Sequence, residues 1–251
     1  MRVQQQPAFI LHHRHYSETS LLLDVFTPNY GRIGLIAKGA RRPRSRLQGI
    51  LKPFQPLLIG WSGRGELAVL TGAEADSPGF SIDRQALYCG FYMNELLMRL
   101  LHRHDPHEAL YTCYRSSLSA LRVDETNEAI LRVFEKHLLR EIGYGLVLDH
   151  DIGDNSVIRA DALYDYIPER GPTKVANPDL NTRHKSIRLR GASLLALANE
   201  TLNDMTALRE TKNLMRTILT RHLGDKPLHS RRLFYTTTVP TVASAERKAN
   251  T

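Results

Sequence analysis

The apolar pattern of this chain changes period once, near Pro78-Gly79, and that change limits what it can fold into. Before it, short strand-like segments begin at residues 8, 21, 32, 57 and 66, separated by turn residues. The first run continues as a strand through His12, His13, Arg14 and His15 to Tyr16. Ser17-Glu18-Thr19 is a turn, and residues 21–27 form the second strand. Pro28-Asn29-Tyr30-Gly31 is the next turn, with Asn and Gly suited to a positive φ. The third strand covers 32–38, the fourth 57–61 and the fifth 66–73. Pro53 and Pro56 mark a ragged, edge-like start to the fourth. Ser62-Gly63-Arg64-Gly65 is a hairpin turn. Five short strands with no helical spacing between them predict a small closed or half-open barrel over residues 1–79.

Beyond the switch the spacing is helical. Helices are expected over 84–103, 107–121, 125–142, 191–200 and 206–223. Asp124 is placed to cap the third, and Gly143, Gly145 and Gly224 mark helix ends. Leu131, Phe134, Leu138 and Ile142 form the core stripe of the third helix. Residues 149–185 break the rhythm and hold a small hairpin, 162–167 then 173–175, around Glu169-Arg170-Gly171-Pro172. The expected fold class is therefore α+β. A five-stranded barrel precedes an all-α domain over 80–235 with the small inserted hairpin, and a polar tail over 236–251 is expected to be disordered.

Charge is concentrated between the third and fourth strands. Lys38, Arg41, Arg42, Arg44, Arg46 and Lys52 fall in one window without a single Asp or Glu. Gly39, Pro43 and Ser45 break regular structure there, so the cations sit on a loop. Such a run repels itself and needs a polyanion or water as partner, and Arg favours forked contacts to phosphate. The competing reading is a solvated surface loop. The first 80 residues carry 10 Lys+Arg against 5 Asp+Glu, whereas the remaining 171 carry 24 against 21. The N-terminal third is thus the better electrostatic footprint in a chain of net charge +8.

Other constellations are weaker. Cys89 and Cys113 lie in different helices and read as reduced core residues of a cytoplasmic protein. No leader and no spanning segment is expected. His13 and His15 share a strand face that His12 does not, which argues against a metal site. His102, His104 and His107 straddle Pro106 at a helix end, where cationic side chains are ordinary. Asp149, Asp151 and Asp154 resemble a loose cation loop without the Gly and Glu of a calcium site. With nearby histidines they define the rival reading, a metal-dependent nuclease. Tyr16, Tyr30 and Trp61 are candidates for stacking on bases or for the barrel wall. A third class is an adaptor that binds proteins and touches DNA only indirectly.

Several blocks are similar to one known family. They are Ser17-Glu18-Thr19-Ser20, Phe26-Thr27 with Gly31, and Ala37-Lys38-Gly39-Ala40-Arg41-Arg42. Further on come Arg132-Val133-Phe134-Glu135 ahead of Gly143-Tyr144, and Leu223-Gly224-Asp225-Lys226-Pro227-Leu228-His229-Ser230-Arg231. In this order and spacing they resemble the RecO family of bacterial recombination mediators. The resemblance implies an N-terminal OB-fold, then a helical domain. It implies binding of single- and double-stranded DNA and annealing of complementary strands, including strands coated with single-stranded-DNA-binding protein. It also implies work with RecR in loading RecA, a bacterial cytoplasmic, nucleoid-associated location and no catalytic residue or cofactor. Many relatives carry four zinc-binding cysteines after the Gly-Tyr pair. Residues 149–185 here contain none, although His150 and His184 remain, so this chain resembles a zinc-free branch with the hairpin as a relic.

Two further sites are expected on this basis. Lys226, Arg231 and Arg232 are expected to extend the cationic path onto the helical domain, or else to form a helix-cap cluster. Arg132, Lys136 and Arg140 recur every four residues, and Arg209, Lys212 and Arg216 form a similar series on the last helix. The family binds the acidic, phenylalanine-ending tail of single-stranded-DNA-binding protein on its helical domain. The competing reading of both stripes is a solvated helix face; carboxylate capture of the family's kind would place the tail over Arg132, with Lys136, Arg140 and Arg216 assisting.

Overall fold

The computed structural model describes residues 1–63, 65–80, 82–121, 127–176, 186–224 and 226–230. Strands β1 (Arg2–His15), β2 (Leu21–Thr27), β3 (Gly31–Ala37), β4 (Leu57–Ser62) and β5 (Leu67–Ala75) close into a barrel in the order β1-β2-β3-β5-β4. That closed five-stranded arrangement is the OB-fold. β1 starts six residues earlier than its apolar run suggests. Its polar first half pairs with β4, from Arg2↔Ser62 to Ala8↔Leu57. Its second half pairs with β2, from Phe9↔Phe26 to His15↔Leu21. Breaks in register at Val3/Gln6 and Ile10/His12 let one strand bend around both neighbours. β3 and β5 close the circle in parallel, Gly34↔Leu67 to Ile36↔Val69.

The barrel interior holds Ile10, Leu23, Val25, Ile33, Leu35, Ile59 and Trp61. β2 is buried on both faces, which explains its unbroken apolar run. Its outward Phe26, with Phe9 and Leu11 of β1, belongs to the core of the helical part.

That part contains α1 (Arg84–Leu100), α2 (Glu108–Ala120) and α3 (Asn127–Glu141). Next come strands β6 (Leu163–Ile167), β7 (Gly171–Lys174) and β8 (Ile187–Arg190), then α4 (Gly191–Ala198) and α5 (Met205–Leu223). The insertion is a three-stranded sheet, β7-β6-β8, rather than the expected hairpin alone. β8 alternates buried Ile187 and Leu189 with outward Arg188 and Arg190, a period-2 signal only four residues long. Asp204 caps α5 by accepting from Ala207 N at 2.9 Å. The Asp124 cap falls outside the described residues, as do His184 and the tail.

Barrel and helices are joined by aromatic and backbone contacts. Phe9 and Phe26 pack on Tyr111 at 5.4 and 5.5 Å between ring centroids. Tyr114 donates to Asn94 Oδ1 at 2.6 Å, and Asn94 Nδ2 donates to the carbonyl of Leu11 at 2.9 Å. Arg103 Nη2 meets Asp24 Oδ1 at 3.0 Å, and His104 N donates to the Arg32 carbonyl at 3.0 Å. The chain after α5 is strapped to α1. Glu95 accepts from His229 N, Ser230 N and Ser230 Oγ at 2.8, 2.8 and 2.6 Å. Burial pushes that carboxyl up, but the Ser230 and His229 hydrogen bonds outweigh it and hold it below the usual range.

Candidate nucleic-acid interface

The segment between β3 and β4 is a chain of tight turns. Arg42 N donates to the Gly39 carbonyl, Ser45 N to that of Arg42, Gln48 N to that of Ser45 and Leu51 N to that of Leu47, at 3.0 to 3.2 Å. Gly39 has φ +67 and Arg44 φ +64, so the backbone reverses at both. Ala40 and Leu51 are buried and anchor the segment to the barrel core. What remains outside is charge: Lys38, Arg41, Arg42, Arg44, Arg46 and Lys52 are all exposed. Arg41 is partly engaged, since its Nη1 donates to the carbonyls of Ser17 and Glu18 at 3.0 Å each. Among the described residues, the other five have no carboxylate partner.

Many cations elsewhere are paired with carboxylates. Arg32 and Arg103 share Asp24, Arg159 pairs with Asp161, Arg188 with Asp165, Arg190 with Asp204 and Arg221 with Glu169. The loop gathers its five cations without such a partner within fifteen residues of chain, a density of charge suited to a partner outside the chain. Beside it, the exposed end of β1 presents His12, His13, Arg14 and His15. Partial burial, then the charges of His12 and His15, lower the pKa of His13, so it adds charge to this face only in acid.

The helical part treats its expected sites differently. Arg132 does not stand on a solvated stripe. It is 6% exposed, and its Nη2 lies 2.7 Å from Oε1 of the fully buried Glu135, which also accepts from Tyr92 at 2.6 Å. Positions four apart drift by about 40° around a helix, so the series 132, 136, 140 turns from core to solvent. The expectation that Arg132 presents its charge at the surface is corrected accordingly. Lys136 is half-buried and donates to the carbonyls of Leu197 and Ala198 at the end of α4, at 3.1 and 3.0 Å, and to Glu200 at 2.7 Å. Arg140 is exposed, with Nη2 3.1 Å from His137 Nδ1. Arg216 is exposed on α5, while Lys212 is engaged with Glu128.

A cavity of about 270 Å³ opens beside α3. Lys136, His137, Arg140 and Asp149 supply its charged and polar lining, and Leu146, Leu148 and Ala198 its apolar part. The apolar half escaped the sequence reading because Leu146 and Leu148 lie in an irregular segment with no periodicity.

Lys226 is exposed, and its backbone carbonyl accepts from Arg99 Nη1 at 2.7 Å. Arg231 and Arg232 lie outside the described residues. The acidic trio does not converge. Asp151 is buried and its two oxygens accept from Gly153 N and Lys174 N at 2.7 Å each. Asp149 meets His150, and Asp154 accepts from Ser156 N. Asp151 therefore ties β7 to the preceding loop. Among the described residues no group of three or more His, Cys, Asp or Glu is arranged to hold a metal, and no helix is long and apolar enough to cross a membrane. Trp61 is buried and meets the half-buried Tyr30 edge-on at 5.1 Å, so both belong to the barrel wall.

A closed five-stranded barrel that carries an exposed cationic loop and is joined through an aromatic seam to a helical part places the protein among the OB-fold proteins. Within that class, residues 1–78 match the family model described as recombination protein O N terminal, and residues 82–232 match recombination protein O C terminal. The chain belongs to this family, RecO. It is 48% identical over 233 residues to the DNA repair protein RecO of Nitrosococcus oceani, covering 93% of each chain. It is 47% identical to that of Nitrosospira multiformis, covering 92% of this chain and 95% of the relative. With that of Coxiella burnetii the identity is 45%, over 93% of this chain and 99% of the relative.

Proposed function

We propose that this protein binds single- and double-stranded DNA through the cationic loop of its barrel and anneals complementary strands without ATP. The observation that supports this is the set of five exposed cations, Lys38, Arg42, Arg44, Arg46 and Lys52, without a carboxylate partner among the described residues. Two strands held on one cationic surface repel each other less, which lowers the barrier to pairing. Contacts of this kind go to phosphate and do not depend on base sequence. Lys226, with Arg231 and Arg232, extends the path along the helical part.

On strands coated by single-stranded-DNA-binding protein, the acidic tail of that protein docks at the cavity beside α3. Its carboxylates meet Lys136 and Arg140, with Arg216 contributing at longer range, and its terminal ring enters the notch of Leu146 and Leu148. Arg132 supports this site from beneath by fixing α3. RecR is a direct partner, and RecA is loaded as a consequence.

The test uses fluorescent complementary strands, naked or coated, with no nucleotide present. The wild-type protein should accelerate both. Arg140→Glu should retain naked annealing and lose coated annealing together with binding of a tail peptide. Arg140 is chosen over Lys136 because Lys136 caps α4. Failure of the wild type to accelerate naked strands, or shortening of the strands instead, would overturn the reading. Loss of both activities in a folded Arg140→Glu protein would move the tail site elsewhere.

A further inference from the structure

The aromatics of the barrel are almost all spoken for. Trp61 and Tyr30 pack edge to face, Phe54 lies against Phe91, and Phe9 and Phe26 pack on Tyr111 and Tyr114. Tyr16 differs. It is 56% exposed, and among the described residues no ring or side-chain partner faces it. The other strongly exposed aromatic among the described residues, Tyr144, lies 4.0 Å from the His222 ring on the helical part.

Tyr16 is also held rigidly at a particular place. Its N–H donates to the Ser20 carbonyl at 3.1 Å and closes the turn between β1 and β2. Arg41 clamps that turn to the cationic loop. Its N–H donates to the Thr19 carbonyl at 2.9 Å, and its Nη1 donates to the Ser17 and Glu18 carbonyls at 3.0 Å. The ring therefore stands on a stiff perch, with Arg14 and His15 before it in the chain and the clamping Arg41 across the turn. A cationic strip interrupted by one exposed aromatic face is the arrangement that holds a single strand, with phosphates on the cations and a base on the ring.

We infer that Tyr16 is a base-stacking platform for single-stranded nucleic acid at the edge of the cationic loop. This rests on the DNA-binding reading above and adds to it a distinction between single strands and duplexes. In a duplex the bases are stacked on one another and the protruding ring finds no free face. In a single strand one base leaves its neighbours and lies on Tyr16, while adjacent bases remain open for pairing.

The test is a binding titration with oligo-dT, with an oligonucleotide of the same length built of abasic sites, and with duplex DNA. Removing one base–aromatic stack weakens single-strand binding about 5- to 150-fold. Tyr16→Ala should lose oligo-dT affinity in that range, with an unchanged salt slope and unchanged duplex affinity. On the abasic strand, which keeps the phosphates, wild type and Tyr16→Ala should bind alike. Tyr16→Phe should behave as wild type, and Tyr16→Trp should bind with its emission quenched by oligo-dT. Equal oligo-dT affinity in wild type and Tyr16→Ala, or the same loss on the abasic strand, would overturn the inference. If Tyr16→Ala is silent while loss of Arg42 and Arg44 weakens binding, the platform fails and the DNA-binding reading stands. If both are silent, that reading has failed as well.

Discussion

Replacing Arg132 by glutamate should strongly destabilise the helical part of this protein. Arg132 and Glu135 are 6% and 0% exposed, and a 2.7 Å ion pair joins them in the space between α1 and α3. The same carboxylate oxygen accepts from Tyr92 of α1, so one buried group ties two helices. Removing one partner of a buried pair leaves the other charge uncompensated and costs about 3–5 kcal/mol. Glutamate adds a second carboxylate beside the first and raises the cost. A domain's whole stability is about 5–15 kcal/mol. For a chain of this size each kcal/mol lowers the melting temperature by about 2–4 °C. The expected drop in a thermal melt is therefore at least about 6 °C, with loss of the cooperative transition as the extreme. Replacing both residues by apolar ones, Arg132→Met with Glu135→Leu, should recover much of the loss, because the pair contributes less than either orphan costs. A wild-type melt for Arg132→Glu would show that the pair is not buried in solution.

Gly31→Ala should loosen the joint between the barrel and the segment that links α1 to α2. Gly31 opens β3 with φ +62, a conformation that costs other residues about 1–2 kcal/mol. A methyl group there would lie 2.0 Å from the Asp105 carbonyl oxygen and 2.5 Å from its carbon, so the opposing backbone must move. That backbone cannot yield freely. His104 N is bonded to the Arg32 carbonyl, Arg103 is paired with Asp24, and His107 lies 3.3 Å from the Asp105 carboxylate. The clash is added to the conformational cost, so the variant should melt well below wild type, with loss of amide protection at His104 first. An unchanged melt with His104 still protected would contradict the described joint.

Much of this architecture was legible in the residues. The period change at Pro78-Gly79, the turn glycines and the apolar runs located the five helices and, apart from the first half of β1, the barrel strands to within a few residues. Gly31 was recognisable as a turn residue. Nothing local told that Asp105 would press against it, because the two meet only when the barrel docks on the helices. The first half of β1 was missed because strand pairing with β4, not apolar content, holds its polar residues in place. β8 was missed because four alternating residues run directly into α4. The cationic loop was visible as a charge run, and its turns were foreshadowed by Gly39, Pro43 and Ser45. Arg132 was misplaced because a series at four-residue spacing looks like one stripe in sequence while it rotates around the helix. Glu135, three residues on, was the available signal, since it offers the nearest acid for a buried guanidinium. The strap from α1 to Ser230 could not be read at all, for Glu95 and Ser230 are 135 residues apart.

The most direct test of a DNA-tracking barrel is the salt dependence of single-strand binding, measured for wild type and for Arg42→Ala, Arg44→Ala, Arg46→Ala combined. Removing a cation that neutralises one phosphate of a single strand lowers the slope of log K against log salt by about 0.7. The three exposed arginines carry no carboxylate partner among the described residues and make no core contact, so the combined variant should keep its fold and its melt. Its slope should be shallower by about 2, with weaker binding to every sequence alike. A folded variant with the affinity and the slope of wild type would place the DNA on another surface.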